Sequence, residues 1–311
     1  MKSICVMGGA NIDVCGASIE PLRNFDSNPG TIEISFGGVG RNIAQICALL
    51  KQNVRFVTCF SSDNYGQLMQ RDCEAMGMDC SDSEIIDDLP SSMYVAILDS
   101  DHDMRVAMSD MRILRRMEPQ MIDYALKNLT KDDIIVMDAN LDMESIHYIL
   151  DYAPCLVAAD PVSVSKAKRL KEYIGQISIF KPNAFEAEEM TGISIVDATT
   201  ARQSLEWFLD RGVKEIIISM ADKGVLFGTR EKCSWIMHRT IQLQNATGGG
   251  DTLLGAYVSR RVNGENPEEA IRFAITAAVD TIEKNSIKRR DLNTERIEKE
   301  IEKMNMEVIE L

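Results

Sequence analysis

The residues of this chain best suited to chemistry are Gly248-Gly249-Gly250-Asp251, preceded by Asn245-Ala246-Thr247 and followed by Thr252-Leu253-Leu254. Three consecutive glycines leave backbone N–H groups uncovered, and the helix predicted to begin there adds the positive end of its dipole. Together they make a concave anion site suited to a phosphoryl group in transfer. Asp251, in the first helical turn, is placed to take a proton from a substrate hydroxyl while the N–H groups stabilise charge on the phosphoryl oxygens. The same residues also suit a glycine-rich turn in which Asp251 is only a capping or first-turn acid. Spacing alone leaves both readings open.

A second glycine turn, Gly37-Gly38-Val39-Gly40-Arg41-Asn42, precedes a segment of helical period. Ile43 stands where a dinucleotide-binding G-x-G-x-x-G needs its last glycine, and no Gly-Lys-Ser/Thr occurs, so a Walker A loop is absent. Gly37 and Gly38 suit close approach of the backbone to a sugar, with Asn42 bonding its hydroxyls. A strand-to-helix turn that needs glycine dihedrals is the alternative. Asn11 and Asp13 follow the first apolar run, where open α/β sheets bind ligands beyond the strand ends, and Asp13 suits a ribose-like diol. Asn183 and Glu186, just after Lys181-Pro182, could hold the waters of Mg²⁺ near ATP phosphates. Glu186 equally suits an ordinary first-turn acid. Ser219 to Gly224 is a further strand-end loop.

The elements that must position these residues alternate along the chain. Ile4 to Met7, Val54 to Cys59, Ile134 to Met137, Leu156 to Ala159, Ile177 to Phe180 and Glu215 to Ser219 read as short strands, apolar on both faces. Helical spacing separates them, as in Ile43, Ile46, Cys47 and Leu50, in Leu205, Phe208 and Leu209, and in Ile271, Ile275 and Ala278. The alternation predicts an α/β fold with a mostly parallel sheet. Residues 13–36 and 91–108 lack helical period and contain alternating runs. They read as half-exposed strands, either a small sheet acting as a lid or edge strands of the main sheet. The tail from Asn293 to Leu311 reads as a charged helix with Ile297, Ile301, Met304 and Val308 inward.

Composition narrows the function further. Of 311 residues, 48 are acidic and 34 basic, a net charge of −14 that disfavours nucleic acid and anionic membrane as partners. No apolar run reaches the length of a membrane span. The eight cysteines form no Cys-x-x-Cys pair and suit a reducing, cytoplasmic setting. The three histidines, His102, His147 and His238, are widely separated and read as ordinary core or surface residues. The two alternating inserts, if they form a half-exposed sheet, are a plausible homodimer surface.

Taken in order, Gly-Gly-x-Gly-x-Asn, Asn-x-x-Glu and Gly-x-Gly-Asp resemble the motifs of the ribokinase-like (PfkB) carbohydrate and nucleoside kinases over nearly the whole chain. The resemblance implies one three-layer α/β/α domain, 1–311, with a mostly parallel central sheet and a small β-sheet lid contributed by about 13–36 and 91–112. It implies transfer of the γ-phosphoryl group of ATP, with Mg²⁺, to an alcohol of a sugar or nucleoside. Carried onto this chain, it makes Asp251 the base and Gly248, Gly249 and Gly250 the anion hole. Asn11, Asp13, Gly37, Gly38, Asn42 and Asn140 would hold the sugar. Asn183, Ser219, Gly224, Thr247 and Ile275 would border the nucleotide, with Glu186 serving the metal through water. Gly8 to Asp13, Ser27-Asn28-Pro29-Gly30, Ser109-Asp110-Met111, Asp138-Ala139-Asn140-Leu141 and Asp160-Pro161-Val162-Ser163 resemble the pseudouridine kinase branch. Asn245 stands where many relatives carry an Asp that helps to hold a monovalent cation, and lacking that charge it leaves K⁺ dependence open. Ala221 stands where a glycine is common.

Overall fold

Short apolar runs ending in glycine, acid or Pro become strands, and the segments of helical period between them become the covering helices. The computed structural model describes residues 2–241, 248–285, 288 and 290–311. In chain order the strands are β1 (Ile4–Met7), β2 (Asn11–Ser18), β3 (Gly30–Gly37), β4 (Val54–Val57), β5 (Cys59–Ser61), β6 (Met78–Asp79), β7 (Glu84–Ile86) and β8 (Met93–Leu98). They continue as β9 (Met104–Asp110), β10 (Ile134–Asp138), β11 (Leu156–Asp160), β12 (Ile179–Phe180), β13 (Glu215–Ser219), β14 (Val225–Thr229), β15 (Cys233–Met237) and β16 (Glu307–Glu310). The helices are α1 (Val39–Leu49), α2 (Asn64–Ala75), α3 (Pro119–Leu126), α4 (Met143–Tyr152) and α5 (Val164–Leu170). After them come α6 (Ala184–Thr191), α7 (Ala198–Leu209), α8 (Gly249–Arg261), α9 (Pro267–Lys284) and α10 (Thr294–Ile301).

The main sheet runs β6-β4-β1-β10-β11-β12-β13-β14-β15-β16. It is parallel from β6 to β13 and antiparallel beyond. β1 and β10 are buried along their whole length, which explains why they carry no polar alternation. One face packs against α1, α8 and α9 through Ile43, Ile46, Leu254 and Ile271; the other packs against α3 to α7 through Ile122, Ile149, Leu205 and Phe208. Parallel strands covered on both faces give the three-layer α/β/α architecture that the resemblance implies.

The two inserts pair with one another and not with the main sheet, in the order β3-β2-β8-β9. Their register sorts side chains by face. Ile34, Val14, Val95 and Met108 align in one row across the four strands, and Ile32, Gly16, Ile97 and Val106 in the next. The opposite face carries Ser35, Asp13, Tyr94 and Ser109.

Two elements differ from the sequence reading. Val54 to Cys59 divides: β4 stops at Val57, and β5 turns away to pair with β7. The tail is helical only to Met304. Asn305 then adopts a left-handed φ of 48°, and β16 adds to the edge at β15. Ile297 and Met304 are buried as expected, but Val308 lies on this edge strand, 38% exposed. An open sheet edge met by the adjacent β-branched residues Val308 and Ile309 overrides the helical period.

Candidate functional site

Asp138 organises the carboxyl end of β10. Its Oδ2 accepts from the Gly9 and Gly40 N–H groups, each at 2.8 Å, and its Oδ1 from the Asn140 N–H at 2.8 Å. Burial pushes the Asp138 carboxyl up, and these three donors pull it back. The approach demands glycine: a Cβ on Gly8 would stand 2.5 Å from Asp138 Oδ2. The first strand, the start of α1 and Asn140 are thereby tied to one carboxylate. Gly38, at φ 97°, cannot carry a side chain without meeting the Gly9 carbonyl oxygen at 2.4 Å. A Cβ on Gly37 would lie 2.0 Å from Asp13 Oδ2, so Gly37 leaves room for that carboxylate. Burial pushes Asp13 up to about 6, against the pull of Arg41.

Asn42 and Asp251, 209 positions apart, meet directly: Asn42 Nδ2 donates to Asp251 Oδ2 at 2.8 Å. Asp251 sits in the first turn of α8, whose N-cap, Gly248, has φ 84° and ψ −3°. Among the described residues nothing accepts from the N–H groups of Gly249, Gly250 or Asp251, the unpaired donors of a helix start. Burial, reinforced by nearby Asp160, pushes the Asp251 carboxyl up to about 7, while the Asn42 amide and Lys181 hold it down. A carboxyl poised there exchanges a proton readily near neutral pH.

Lys181 was missed in the sequence reading. It follows β12 and makes a buried ion pair with Asp160 at the end of β11, Nζ to Oδ2 at 2.8 Å. Burial works against its charge, but Asp160, together with Asp251 and Glu186, outweighs it and the ammonium is held above its ordinary value. A Cβ on Gly250 would stand 2.9 Å from Lys181 Nζ, so this cation lies directly against the three-glycine turn. The signal was a lysine between a buried strand and Pro182, a place at the strand's carboxyl end.

The remaining expected residues fall as follows. Asn11 Oδ1 accepts from Ser92 Oγ at 2.7 Å. Asn183 caps α6 and bridges to Ser219 of β13. Glu186 is buried in a capping box: its Oε2 accepts from the Asn183 N–H at 2.8 Å, and its N–H donates to Asn183 Oδ1 at 2.9 Å. Gly224, at φ 92°, lies tight against the Ile236 carbonyl oxygen, and the neighbouring Ala221 has a left-handed φ of 52°. Ile275, expected to border the nucleotide, is 1% exposed and packs within the core, so it offers a ligand no surface here. Asn245 and Thr247 lie outside the described residues.

Among the described residues no three His, Cys, Asp or Glu side chains converge as a metal site. Glu186 Oε1 has no hydrogen-bond partner among them. That donor set suits Mg²⁺, which keeps much of its water and takes phosphate oxygens instead of a protein cage. A cavity of about 510 Å³ adjoins Asn140. Another, of about 650 Å³, opens at the turn after Thr229, which pairs with the first residue of β13. It therefore lies at the amino ends of the parallel strands, away from Asp138 and Asp160. No helix among the described residues is long and apolar enough to cross a membrane.

Known proteins resemble the chain over most of its length. The Escherichia coli (strain K12) pseudouridine kinase is 33% identical over 273 residues, 87% of each chain. The guanosine-inosine kinase of Exiguobacterium acetylicum is 24% identical, covering 91% of this chain and 95% of its own. The ribokinase of Thermotoga maritima superposes with a TM-score of 0.85 at 22% identity, covering 97% of this chain and 100% of its own, a likeness of fold. The model of the pfkB family carbohydrate kinases matches residues 1–290, and the chain belongs to that family.

Proposed function

We propose that this kinase transfers the γ-phosphoryl group of ATP to the 5′-hydroxyl of a nucleoside, with pseudouridine the preferred acceptor. The observation that carries the reading is the Asn42–Asp251 hydrogen bond at the three-glycine helix start. It joins a sugar-side amide, a carboxyl raised to about 7 and a row of N–H groups with no acceptor among the described residues. The likeness to the Escherichia coli pseudouridine kinase supports the choice of acceptor.

The reaction is written as an in-line displacement. Asp13, Asn42, Asn11 and Asn140, with the Gly37-Gly38 backbone, hold the sugar. The 5′-hydroxyl oxygen bonds to the γ-phosphorus, the bond from that phosphorus to the β–γ bridging oxygen breaks, and ADP leaves. The hydroxyl proton passes to Asp251. The N–H groups of Gly249, Gly250 and Asp251 donate to the phosphoryl oxygens, and Lys181 adds positive charge behind them. Asn183, Ser219 and Gly224 border the nucleotide. Glu186 would hold Mg²⁺ through water, and the ion would supply charge neutralisation for the phosphates. The small sheet, its polar face carrying Asp13 and Ser109, acts as a lid that excludes water and so limits wasteful ATP hydrolysis.

The outer face of that sheet pairs with a second copy. Ile32, Ile34, Val106 and Met108 are 50–75% exposed on one apolar face, too much contiguous apolar surface to leave in water. Eight unpaired cysteines suit the reducing cytoplasm.

The deciding experiment measures ADP release with pseudouridine, uridine, inosine, guanosine, ribose and fructose. The highest kcat/KM is expected for pseudouridine. The likeness to the guanosine-inosine kinase favours a purine nucleoside as the alternative acceptor, and a clear preference for one, or for a free sugar, would displace the reading.

A further inference from the structure

Arg41 stands between two residues already placed at the site: Gly40, whose N–H Asp138 accepts, and Asn42, which bonds Asp251. Its own side chain is 2% exposed, a cation almost wholly out of water. Such a charge is costly unless it is paired and hydrogen-bonded, and here its bonds reach several elements. Nη1 donates to the Phe36 carbonyl oxygen at 3.2 Å, where β3 enters the Gly37-Gly38 turn, and to Gln45 Oε1 at 3.1 Å. Nη2 donates to Asp72 Oδ2 of α2 at 2.6 Å. The Arg41 backbone N–H donates to the Gly9 carbonyl oxygen at 3.0 Å, just after β1. The guanidinium also lies 5.6 Å from the centre of the Phe36 ring. One residue thus joins the turn after β1, the inner end of a small-sheet strand and α2.

Asp72 braces the arginine. Its second oxygen, Oδ1, accepts from Arg290 Nη2 at 2.6 Å, so a cation holds each oxygen. The Arg41 charge is also felt at Asp13, where burial pushes the carboxyl up to about 6 and Arg41 pulls it back. On the small sheet, the titratable groups on the face of Asp13 are Tyr94, its partner on β8, and Glu33, one row along β3 and itself paired with Lys288.

We propose that Arg41, braced by Asp72, is a positioning residue: it clamps the inner end of β3 and sets a fixed positive charge behind Asp13, so that this carboxyl meets the acceptor's hydroxyls ionised. The proposal rests on the reading of Asp13 as a sugar-holding group in the function proposed above. An ionised carboxylate accepts from two hydroxyls, while a protonated one gives up part of that capacity to its own O–H. Lysine could supply the charge but not the fork, which serves Phe36, Gln45 and Asp72 at once.

The test measures pseudouridine binding against pH by calorimetry without ATP, and kcat at saturating pseudouridine and ATP, for the wild type, Arg41→Met, Arg41→Lys and Asp72→Asn. Circular dichroism checks that each variant folds, and in Arg41→Met the Arg290 side chain still pairs with Asp72. Wild-type affinity should weaken as pH falls through about 6. Loss of the cation raises the Asp13 value, so in Arg41→Met the weakening should begin about one pH unit higher, with affinity at pH 7 lowered severalfold. Loss of the counter-charge acts the other way, and in Asp72→Asn the limb should move to lower pH. Arg41→Lys should keep the wild-type limb and bind more weakly at every pH, since the charge stays and the clamp goes. The kcat limb, which Asp251 governs, should stay near about 7 throughout. An arginine with a structural role only would change stability and affinity without moving the binding limb, so an unmoved limb in folded Arg41→Met and Asp72→Asn would overturn this inference alone. A wild type that binds no pseudouridine would overturn it together with the function proposed above.

Discussion

Gly255 of α8 lies against Ile46 of α1 so closely that a Cβ would stand 2.9 Å from Ile46 Cγ2 and 3.0 Å from its Cβ. Both residues sit four positions beyond the Asn42–Asp251 hydrogen bond, one helical turn below it. The helices cross at this glycine, and the Cys47 thiol reaches the Gly255 carbonyl oxygen in the same contact. The crossing sets the separation of the amide and the carboxyl above it. Gly255→Ala is expected to push α1 and α8 apart, cost about 1–3 kcal/mol of stability, and lower kcat by about tenfold or more. Urea unfolding and ADP release measure the two effects. A variant with lowered stability and undiminished kcat would break the link between this crossing and the site.

The pH behaviour of Asp251 has opposite signs for turnover and stability. Its carboxyl rises from 3.8 to about 7 on folding, through burial first and Asp160 second. As a base it must be ionised, so kcat/KM should rise with pH through about 7. A raised folded value means that the native state holds a proton the unfolded chain has released. The group therefore favours folding at low pH, and stability falls as pH rises from about 4 through about 7. Asp251→Asn should lose about 10²–10⁴ in kcat, keep substrate binding, and flatten that part of the stability curve. Near-normal turnover in the Asn variant would remove Asp251 from its role.

The Lys181–Asp160 pair separates charge placement from stability. Both side chains are about 5% exposed, so removing one partner strands the other. Lys181→Met is expected to cost roughly 3–5 kcal/mol. Adding Asp160→Asn should restore much of that stability without restoring turnover, since the cation beside Gly250 is still missing. A double variant that recovers activity along with stability would make the lysine purely structural.

These contrasts show what sequence could and could not reveal. A run of three glycines before an acid announces a bare helix start locally, so Asp251 was visible without the fold. Asp138 sits in a motif whose role depends on Gly9 and Gly40, 129 and 98 residues away, and only the parallel pairing of β1 with β10 brings them together. Lys181 carried no signal of its own because nothing nearby in sequence announces its partner in β11. Glu186 was open between two readings, and its capping-box bond shows that one oxygen serves the helix whatever the other does. Ala221 illustrates the reverse: glycine was expected by resemblance, and its left-handed φ of 52° gives the physical reason. The tail misled because Val308 fits a helical stripe and an edge strand equally well.

The small sheet offers the last test. Its outer rows, Ile34-Val14-Val95-Met108 and Ile32-Gly16-Ile97-Val106, are apolar across all four strands, while the face with Asp13 is polar. Val14 packs against the core, but Ile32, Ile34, Val106 and Met108 stay exposed on the outer face, and a like sheet would cover it. Charging it should therefore act on association before it acts on the fold, because the replaced side chains are exposed. The double variant Ile34→Glu/Val106→Glu is expected to shift a dimer to monomer in sedimentation at micromolar concentration, with thermal unfolding of the main body little changed. If closure of the lid depends on the second copy, the nucleoside KM should rise in the monomer while the KM for ATP stays near its original value. A wild type that sediments as a monomer under the same conditions would show that this face serves something other than a second copy of the chain.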